Sequence, residues 1–234
     1  MILAFKMEDR ERLASEADEM SYSLDDGKRL LEFLVEKGID NETLVHRYND
    51  KSEEYNKMQV VRRYMAPTSI ADTLCALYPS NRENVLILDA AAGTGLVSAE
   101  ARKRGFVQID ALDPSEGMLE EAMKSNLYQR YICDVIGDNT LDIANDTYTV
   151  LTLVSLTSEI LKKLSVKCYE ELVRVTKSGG YILINHYDYI FDTDIMKANL
   201  ADLESRGLWK LTDRHYVEEP HNGVRRCTCI YQVA

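Results

Sequence analysis

The stretch NVLILDAAAGTGLVSAEARKRGF, residues 84–106, has the pattern of a strand, a tight loop and a helix. An apolar run from Val85 to Leu88 meets an aspartate, and small residues and two glycines follow before the helical part. In open α/β sheets, loops of this kind lie at the carboxyl ends of strands, where ligands bind. Gly93 and Gly95 permit backbone conformations and close approaches that larger residues do not. The stretch therefore predicts a cofactor loop.

Short apolar runs recur after residue 84, and helical stretches divide most of them, which is typical of parallel strands joined by crossover helices. One such helix, CYEELVRVTKSGG, ends on a double glycine that we interpret as a helix C-cap. Two strand candidates on either side of PHNG predict a terminal antiparallel pair. We expect a doubly wound, mostly parallel α/β sheet. The apolar runs are VLILD, QIDALD, RYICDV, YTVLTLVSL and YILINHY.

The N-terminal part of the chain predicts helices. GKRLLEFLVEKG repeats leucine at helical spacing, and residues 41–65 continue as a helix rich in tyrosine and charge. We therefore expect a helical extension over residues 1–66 and an α/β domain over residues 67–234.

Composition limits the partners. With 45% hydrophobic and 29% charged residues, the chain can bury a core, and its net charge of -11 argues against nucleic acid and anionic membranes as partners. The five cysteines lack the spacing of a disulfide framework, and the N-terminus lacks the apolar core of a signal peptide. No apolar run approaches the ~18 residues of a membrane span. A cytoplasmic protein is expected.

Two classes of cofactor compete for the loop. A dinucleotide requires G-x-G-x-x-G, but GTGLVS has Ser98 at the third position, and Asp89 lies where the anionic pyrophosphate would approach. A cofactor that carries a cationic amino acid would instead be attracted by the negative charge of the Asp89 carboxylate. Asp113, after the next strand, is placed to accept hydrogen bonds from a ribose in either class. An NAD(P)-dependent oxidoreductase is therefore the disfavoured alternative.

The residues D-A-A-A-G-T-G at 89–95 resemble motif I of the class I S-adenosylmethionine-dependent methyltransferases, with Ala91 in place of the first glycine. ALDPSEGMLEEA, YICDV and RVTKSGGYILI resemble later elements of the same family, in the same order, between about residue 45 and about residue 190. The resemblance implies a Rossmann-like sheet of seven strands, S-adenosylmethionine as the cofactor and S-adenosylhomocysteine as the product.

The resemblance also implies roles for individual residues. Asp113 would bind the ribose, Pro114 and Met118 would flank the adenine, and Asp134 would meet the adenine amino group. The extension over residues 1–66 would also form a lid over the cofactor, to which the tyrosines of residues 41–66 would belong, and residues 67–234 would form the catalytic domain. The predicted cofactor-binding residues are Tyr48, Tyr55, Asp89, Ala90, Ala91, Gly93, Gly95, Leu96, Asp113, Pro114, Met118, Cys133, Asp134 and Val135.

Methyl transfer requires alignment and exclusion of water, and it needs a general base only when the acceptor must lose a proton first. His186, after YILIN, is the one weak candidate for such a base. The N-P-P-Y-type tetrapeptide of enzymes that methylate base nitrogens is absent, since residues 155–158 read SLTS. We expect a small molecule or a protein side chain as acceptor. The alternative is a regulatory protein that binds the cofactor without transferring methyl groups.

A metal site has little support in the sequence. Cys227 and Cys229 share one face of a predicted strand, and His215 and His221 precede them, but no C-x-x-C pair exists. We interpret both cysteines as structural and expect no metal.

Overall fold

The protein folds around a seven-stranded sheet in a computed structural model that describes residues 22–220 and 223–234. The strand order is β3-β2-β1-β4-β5-β7-β6, and β7 runs antiparallel to both of its neighbours while the other pairs are parallel. This confirms the doubly wound sheet and the terminal antiparallel pair. The strands are β1 (Leu86–Ala90), β2 (Gln108–Leu112), β3 (Tyr131–Ile132), β4 (Tyr148–Val154), β5 (Thr176–Tyr187), β6 (Trp209–Glu218) and β7 (Arg225–Val233).

Helices cover both faces of the sheet, and the central strands are therefore buried along nearly their whole length. Alternate residues of β4 enter two different apolar clusters, one around Trp209 and Tyr169 and the other around Phe106 and Ile70. The helices are α1 (Leu24–Leu34), α2 (Asn41–Asp50), α3 (Ser52–Val61), α4 (Ala66–Leu77), α5 (Leu96–Lys103), α6 (Glu116–Lys124), α7 (Ser158–Leu161), α8 (Val166–Val175) and α9 (Asp194–Ser205).

The N-terminal segment is helical, as predicted, but residues 41–65 do not form a single helix. Lys51 has φ -114° and ψ 11°, and it ends α2 and begins α3. The helix α4 begins at the predicted border between the extension and the catalytic domain, and that division stays a prediction. What we predicted for residues 1–21 lies outside the described residues. Within the described ranges, no helix is both long and apolar enough to cross a bilayer.

The interpretation of Gly179 and Gly180 as a helix C-cap is wrong. The helix α8 ends at Val175, and the chain is already extended at Thr176, so both glycines lie inside β5. A β-carbon on Gly180 would lie 2.7 Å from the carbonyl oxygen of Thr149. Gly180 is therefore required by the close approach of two strands, at the irregularity in the β4–β5 pairing.

Candidate functional site

A cavity of about 110 Å³ lies at the carboxyl ends of the strands, where the strand order reverses between β1 and β4. We call it the first cavity. The loops after β1, β2 and β4 form its floor, and α2 and α3 cover it. Predicted residues that line it are Tyr48, Tyr55, Ala91, Gly93, Asp113, Pro114 and Met118. Lining residues that the sequence did not predict are Leu44, Val45, Ser115, Val154, Ser155, Leu156, Thr157 and Ile160.

Asp113 is held at the wall of the first cavity by backbone groups. Its Oδ2 accepts the N–H of Gly93 at 2.8 Å, and its Oδ1 accepts the N–H of Ser115 at 2.9 Å. Burial raises the pKa of the Asp113 carboxyl, and these two hydrogen bonds oppose the rise. Each oxygen keeps a second lone pair, so the carboxylate can still accept two hydroxyl donors from a diol.

The loop after β1 is shaped for close contact with a ligand. Gly93 has φ +55°, and a β-carbon placed there would meet no atom within 4 Å, because the position faces open space. Ala91 also adopts a left-handed conformation, with φ 58°, at the position where the family pattern has glycine. That conformation costs an L-residue roughly 1–2 kcal/mol. The loop therefore keeps a glycine-like backbone even where its residue is alanine.

Asp89 lies behind the first cavity rather than in its lining. Its carboxyl is almost fully buried and accepts hydrogen bonds from the hydroxyls of Tyr128 at 2.6 Å and Thr152 at 2.8 Å. Burial raises the pKa of this carboxyl to about 7. Asp89 thus ties β1 to β4 and to the segment before β3, and its predicted contact with the ammonium of the cofactor stays a prediction. Tyr128 was missed because nothing in its local sequence marks it.

Three further predicted residues, Gly95, Ala90 and Leu96, are also absent from the lining of the first cavity. Gly95 has φ +86°, and a β-carbon there would lie 2.6 Å from a side-chain carbon of Leu127. A glycine is therefore needed at position 95 because the packed side chain of Leu127 leaves no room for a β-carbon. Ala90 is buried at the end of β1, and Leu96 begins α5.

The three predicted residues after β3 have different surroundings. Val135 lines a third cavity, of about 330 Å³, which shares Ala91 and Pro114 with the first cavity. Asp134 accepts the backbone N–H of Val135 at 2.7 Å, so it caps its own turn. The exposed Cys133 thiol donates to the carbonyl of Pro114 at 3.7 Å. Of the three, Val135 alone lines one of the cavities described among residues 22–220 and 223–234.

The helices α2 and α3 are joined to the cofactor loops by two asparagines that the sequence analysis missed. The side-chain oxygen of Asn49 accepts the Ser115 hydroxyl at 2.7 Å and the N–H of Gly117 at 3.1 Å. Asn56 accepts the hydroxyl of Thr94 at 2.5 Å. These three hydrogen bonds hold the helical segment over the first cavity. Tyr48 and Tyr55 come from this segment, with ring centroids 6.1 Å apart.

A second cavity, of about 240 Å³, adjoins the first. The two share Tyr48, Tyr55, Ser155, Leu156 and Thr157 in their walls. The second cavity is otherwise lined by Leu31, Leu34, Val35, Met58, Gln59, Arg62, Tyr64, Ser158, His186, Tyr187, Tyr189 and Arg226.

His186 lines the second cavity, but both of its ring nitrogens are in use. Nδ1 accepts the N–H of Tyr187 at 2.7 Å, and Nε2 donates to the carbonyl of Leu156 at 2.5 Å. Burial lowers the pKa of the imidazole to about 4. A neutral ring with no free lone pair is poorly suited to accept a proton from a ligand, and the catalytic role of His186 stays a prediction.

Cys227 and Cys229 share one face of β7, as predicted, with their sulfurs 3.7 Å apart and fully buried. His215 pairs instead with Thr73 and Asp213. His221 lies outside the described residues.

Comparison with known proteins identifies the family. The methyltransferase-domain family matches residues 87–180. Methyltransferase-like protein 27 of Homo sapiens is 32% identical over 169 residues, which cover 71% of this chain and 68% of that protein. The chain belongs to the class I S-adenosylmethionine-dependent methyltransferases. This confirms the predicted family, the enzyme class and S-adenosylmethionine as cofactor.

Solved structures show the same fold as this methyltransferase. An S-adenosylmethionine-dependent methyltransferase of Leishmania major matches with a TM-score of 0.55 at 17% identity, over 86% of this chain and 89% of that one. A TehB-like methyltransferase of Corynebacterium glutamicum matches with a TM-score of 0.57 at 14% identity, over 79% and 99% of the two chains.

The residues of the first cavity fit the cofactor of this methyltransferase. Asp113 offers two oriented carboxylate oxygens to a ribose diol, and Gly93 leaves open space beside them. Pro114 and Met118 supply apolar surface for a flat base. The wall of Tyr48 and Tyr55 separates this cavity from the second one.

Proposed function

We propose that this methyltransferase acts on a small molecule, and that the second cavity is the acceptor site. One observation carries the proposal: the second cavity shares Tyr48, Tyr55, Ser155, Leu156 and Thr157 with the first. An acceptor in the second cavity would therefore lie next to the cofactor, behind the same two helices. At about 240 Å³, a concave site of this size suits a free small molecule.

When bound beside Asp113, Tyr48 and Tyr55, S-adenosylmethionine would supply a methyl group on a cationic sulfur for a lone pair of the acceptor, with the neutral thioether as the other product. The chain itself contributes orientation and exclusion of water. Tyr48 and Tyr55 close the shared wall, and their hydroxyls stay protonated because burial raises both pKa values. Such positioning can supply roughly 7–11 kcal/mol of barrier reduction in favourable cases.

Ser155 is placed to orient the acceptor. It follows β4 with a left-handed φ of 56°, a strained conformation of the kind that clusters at functional sites. Its Oγ accepts the hydroxyl of Tyr64 and an N–H of Arg226, each at 2.7 Å. Ser155 lines both cavities, so its hydroxyl can form a hydrogen bond with a ligand in either one.

The experiment uses a side chain that lines the second cavity alone. Ser158→Trp should fill that cavity, leave the affinity for S-adenosylhomocysteine unchanged and abolish transfer of labelled methyl to a small-molecule fraction of cell extract. Ser125→Trp, at an exposed helix end, is the matched control and should behave as wild type. Wild-type transfer by Ser158→Trp would refute the acceptor site.

Calorimetric titration and methyl transfer also test the proposal. Binding of S-adenosylhomocysteine with no transfer of a methyl group to the small-molecule fraction would contradict it. Tight binding of NAD, without binding of S-adenosylmethionine or S-adenosylhomocysteine, would contradict it as well.

The proposed setting is the cytoplasm, without nucleic acid or membrane as partner. It is supported by five free thiols and by the acidic net charge of -11.

A further inference from the structure

The wall of the second cavity carries positive charge. Its described lining residues include two arginines, Arg62 and Arg226, and neither aspartate nor glutamate. This contrasts with a chain whose net charge is -11. The two arginines differ in what compensates their charge.

Arg226 is compensated within the protein. Its Nε donates to Glu219, and both side chains are almost fully buried. Its Nη1 donates to Ser155 and to the side-chain oxygen of Asn185, at 2.7 and 2.8 Å. Its guanidinium also lies over the ring of Tyr187, 4.4 Å from the centroid. Arg226 is thus a fixed, paired part of the wall.

Arg62 has no such partner. It directly follows α3, and its Nη1 donates to the side-chain oxygen of Gln59 at 3.1 Å. Its Nη2 donates to the hydroxyl of Tyr187 at 3.2 Å. Both partners are neutral, and among the described residues Arg62 forms no ion pair with an acid. A guanidinium half-buried beside apolar and aromatic groups is a favourable partner for an anion.

Five tyrosines line the second cavity, which gives it aromatic surface for a flat ring. The rings of Tyr187 and Tyr189 are stacked, with centroids 5.8 Å apart and an angle of 8° between their planes. Tyr48, Tyr55 and Tyr64 contribute further aromatic surface. A cavity of roughly 150 Å³ can hold benzene. The second cavity, at about 240 Å³, has room for one ring with small substituents.

We propose that the acceptor is a small aromatic acid whose carboxylate pairs with Arg62. One uncompensated guanidinium matches one negative charge and the two oxygens of a carboxylate. A phosphate ester carries up to two negative charges, and Arg62 would neutralise only one of them. The inference rests on the proposed function, because it takes the second cavity as the acceptor site. Since Arg62 adjoins α3, the carboxylate would also hold the covering helices against the sheet.

The test measures binding to protein saturated with S-adenosylhomocysteine. Benzoate and phenylacetate are compared with benzamide and phenylacetamide as neutral counterparts, and with benzenesulfonate and phenyl phosphate as other anions. We expect the carboxylates to bind at least about tenfold tighter than the amides, as for a hydrogen-bonded charge pair. They should also bind tighter than the other two anions.

Variants assign the selectivity to one residue. Arg62→Met should remove the preference for carboxylate over amide, and Arg62→Lys should keep part of it. Arg63→Met is the matched control, since Arg63 is the next residue and lies outside the described cavity walls. All three variants should bind S-adenosylhomocysteine as wild type does, which shows that they are folded.

The outcomes separate this inference from the proposed function. Equal binding of acids and amides, or a preference that survives Arg62→Met, would overturn the role of Arg62. Tighter binding of phenyl phosphate would overturn the carboxylate. Either result leaves the test of the acceptor cavity by Ser158→Trp unaffected. Loss of methyl transfer to every small molecule would instead remove the proposed function.

Discussion

The side-chain oxygen of Asn49 accepts the hydroxyl of Ser115 at 2.7 Å, across 66 positions of sequence. Ser115 is the N-cap of α6 and also accepts the N–H of Met118 at 3.2 Å. A β-carbon on Gly117 would lie 2.8 Å from the backbone oxygen of Asn49. The helix α2 therefore rests directly on the first turn of α6, at the edge of the first cavity.

The first prediction concerns this contact. Gly117→Ala should push α2 away from α6, because a methyl group 2.8 Å from a backbone oxygen is not tolerated. We expect weaker binding of S-adenosylhomocysteine by calorimetry and faster hydrogen exchange in residues 41–61, with the sheet unchanged. Glu116→Ala, an exposed change in the same turn, is the control. If Gly117→Ala binds S-adenosylhomocysteine with wild-type affinity, the contact between α2 and α6 is not required for cofactor binding.

The second prediction concerns the response of the lid to ligand. Addition of S-adenosylhomocysteine should slow hydrogen exchange in residues 41–66 more than in β6 and β7. The reason is that Tyr48 and Tyr55 line the first cavity, while the helices that carry them rest on few polar contacts. Protection confined to residues 89–135 would make the segment a passive cover.

The third prediction concerns Asp113. Asp113→Ala should lower the affinity for S-adenosylhomocysteine at least tenfold, since it removes charge-assisted hydrogen bonds of ~1.5–3 kcal/mol. It also frees the N–H groups of Gly93 and Ser115, which loosens the loop. Calorimetric titration measures the affinity, with Glu120→Ala on the exposed face of α6 as control. Normal binding by Asp113→Ala would contradict the assignment.

The fourth prediction concerns pH. The pKa of Asp89 is raised from 3.8 to about 7, so the folded protein holds this proton more tightly than the unfolded chain. The contribution of Asp89 to stability is therefore fully present below pH 3.8, falls as the pH rises to about 7 and is constant above it. Each tenfold difference in proton affinity between the folded and unfolded protein corresponds to ~1.4 kcal/mol of stability.

Asp89→Asn removes this titration and keeps a similar shape. Denaturant unfolding should show the variant gaining stability relative to wild type as the pH rises from 4 to about 7. The variant should stay folded, and weaker binding of S-adenosylmethionine by it would support the predicted contact with the ammonium. A constant difference across this range would mean that folding does not raise the pKa of Asp89.

The elements of the fold could be predicted from sequence because their signals are local. Short apolar runs divided by helical stretches marked the strands, motif I marked Gly93, and the position after the second strand marked Asp113. Contacts across long sequence separations left no such mark, which is why Asn49 and Tyr128 were missed. The double glycine at 179–180 was misread for the same reason, since the approach of Thr149 that requires it comes from another strand.

Arg62 and Ser155 show the same limit at the acceptor side. Arg62 is one of many charged residues on a helical segment, and its lack of an acidic partner is visible only in three dimensions. Ser155 lies in the SLTS stretch, which the sequence analysis used only to exclude a base-methylating motif. Its left-handed conformation depends on strand geometry that no short pattern encodes.

Tyr48 and Tyr55 line both cavities. A ligand in one cavity that orders these two tyrosines would therefore raise the affinity of the other cavity for its own ligand. Affinities coupled in this way change by the same factor in both directions. A high concentration of acceptor would then raise the affinity of the enzyme for S-adenosylhomocysteine as well as for S-adenosylmethionine. At high acceptor concentration, turnover would slow through product inhibition. The release of S-adenosylhomocysteine would then be the rate-limiting step.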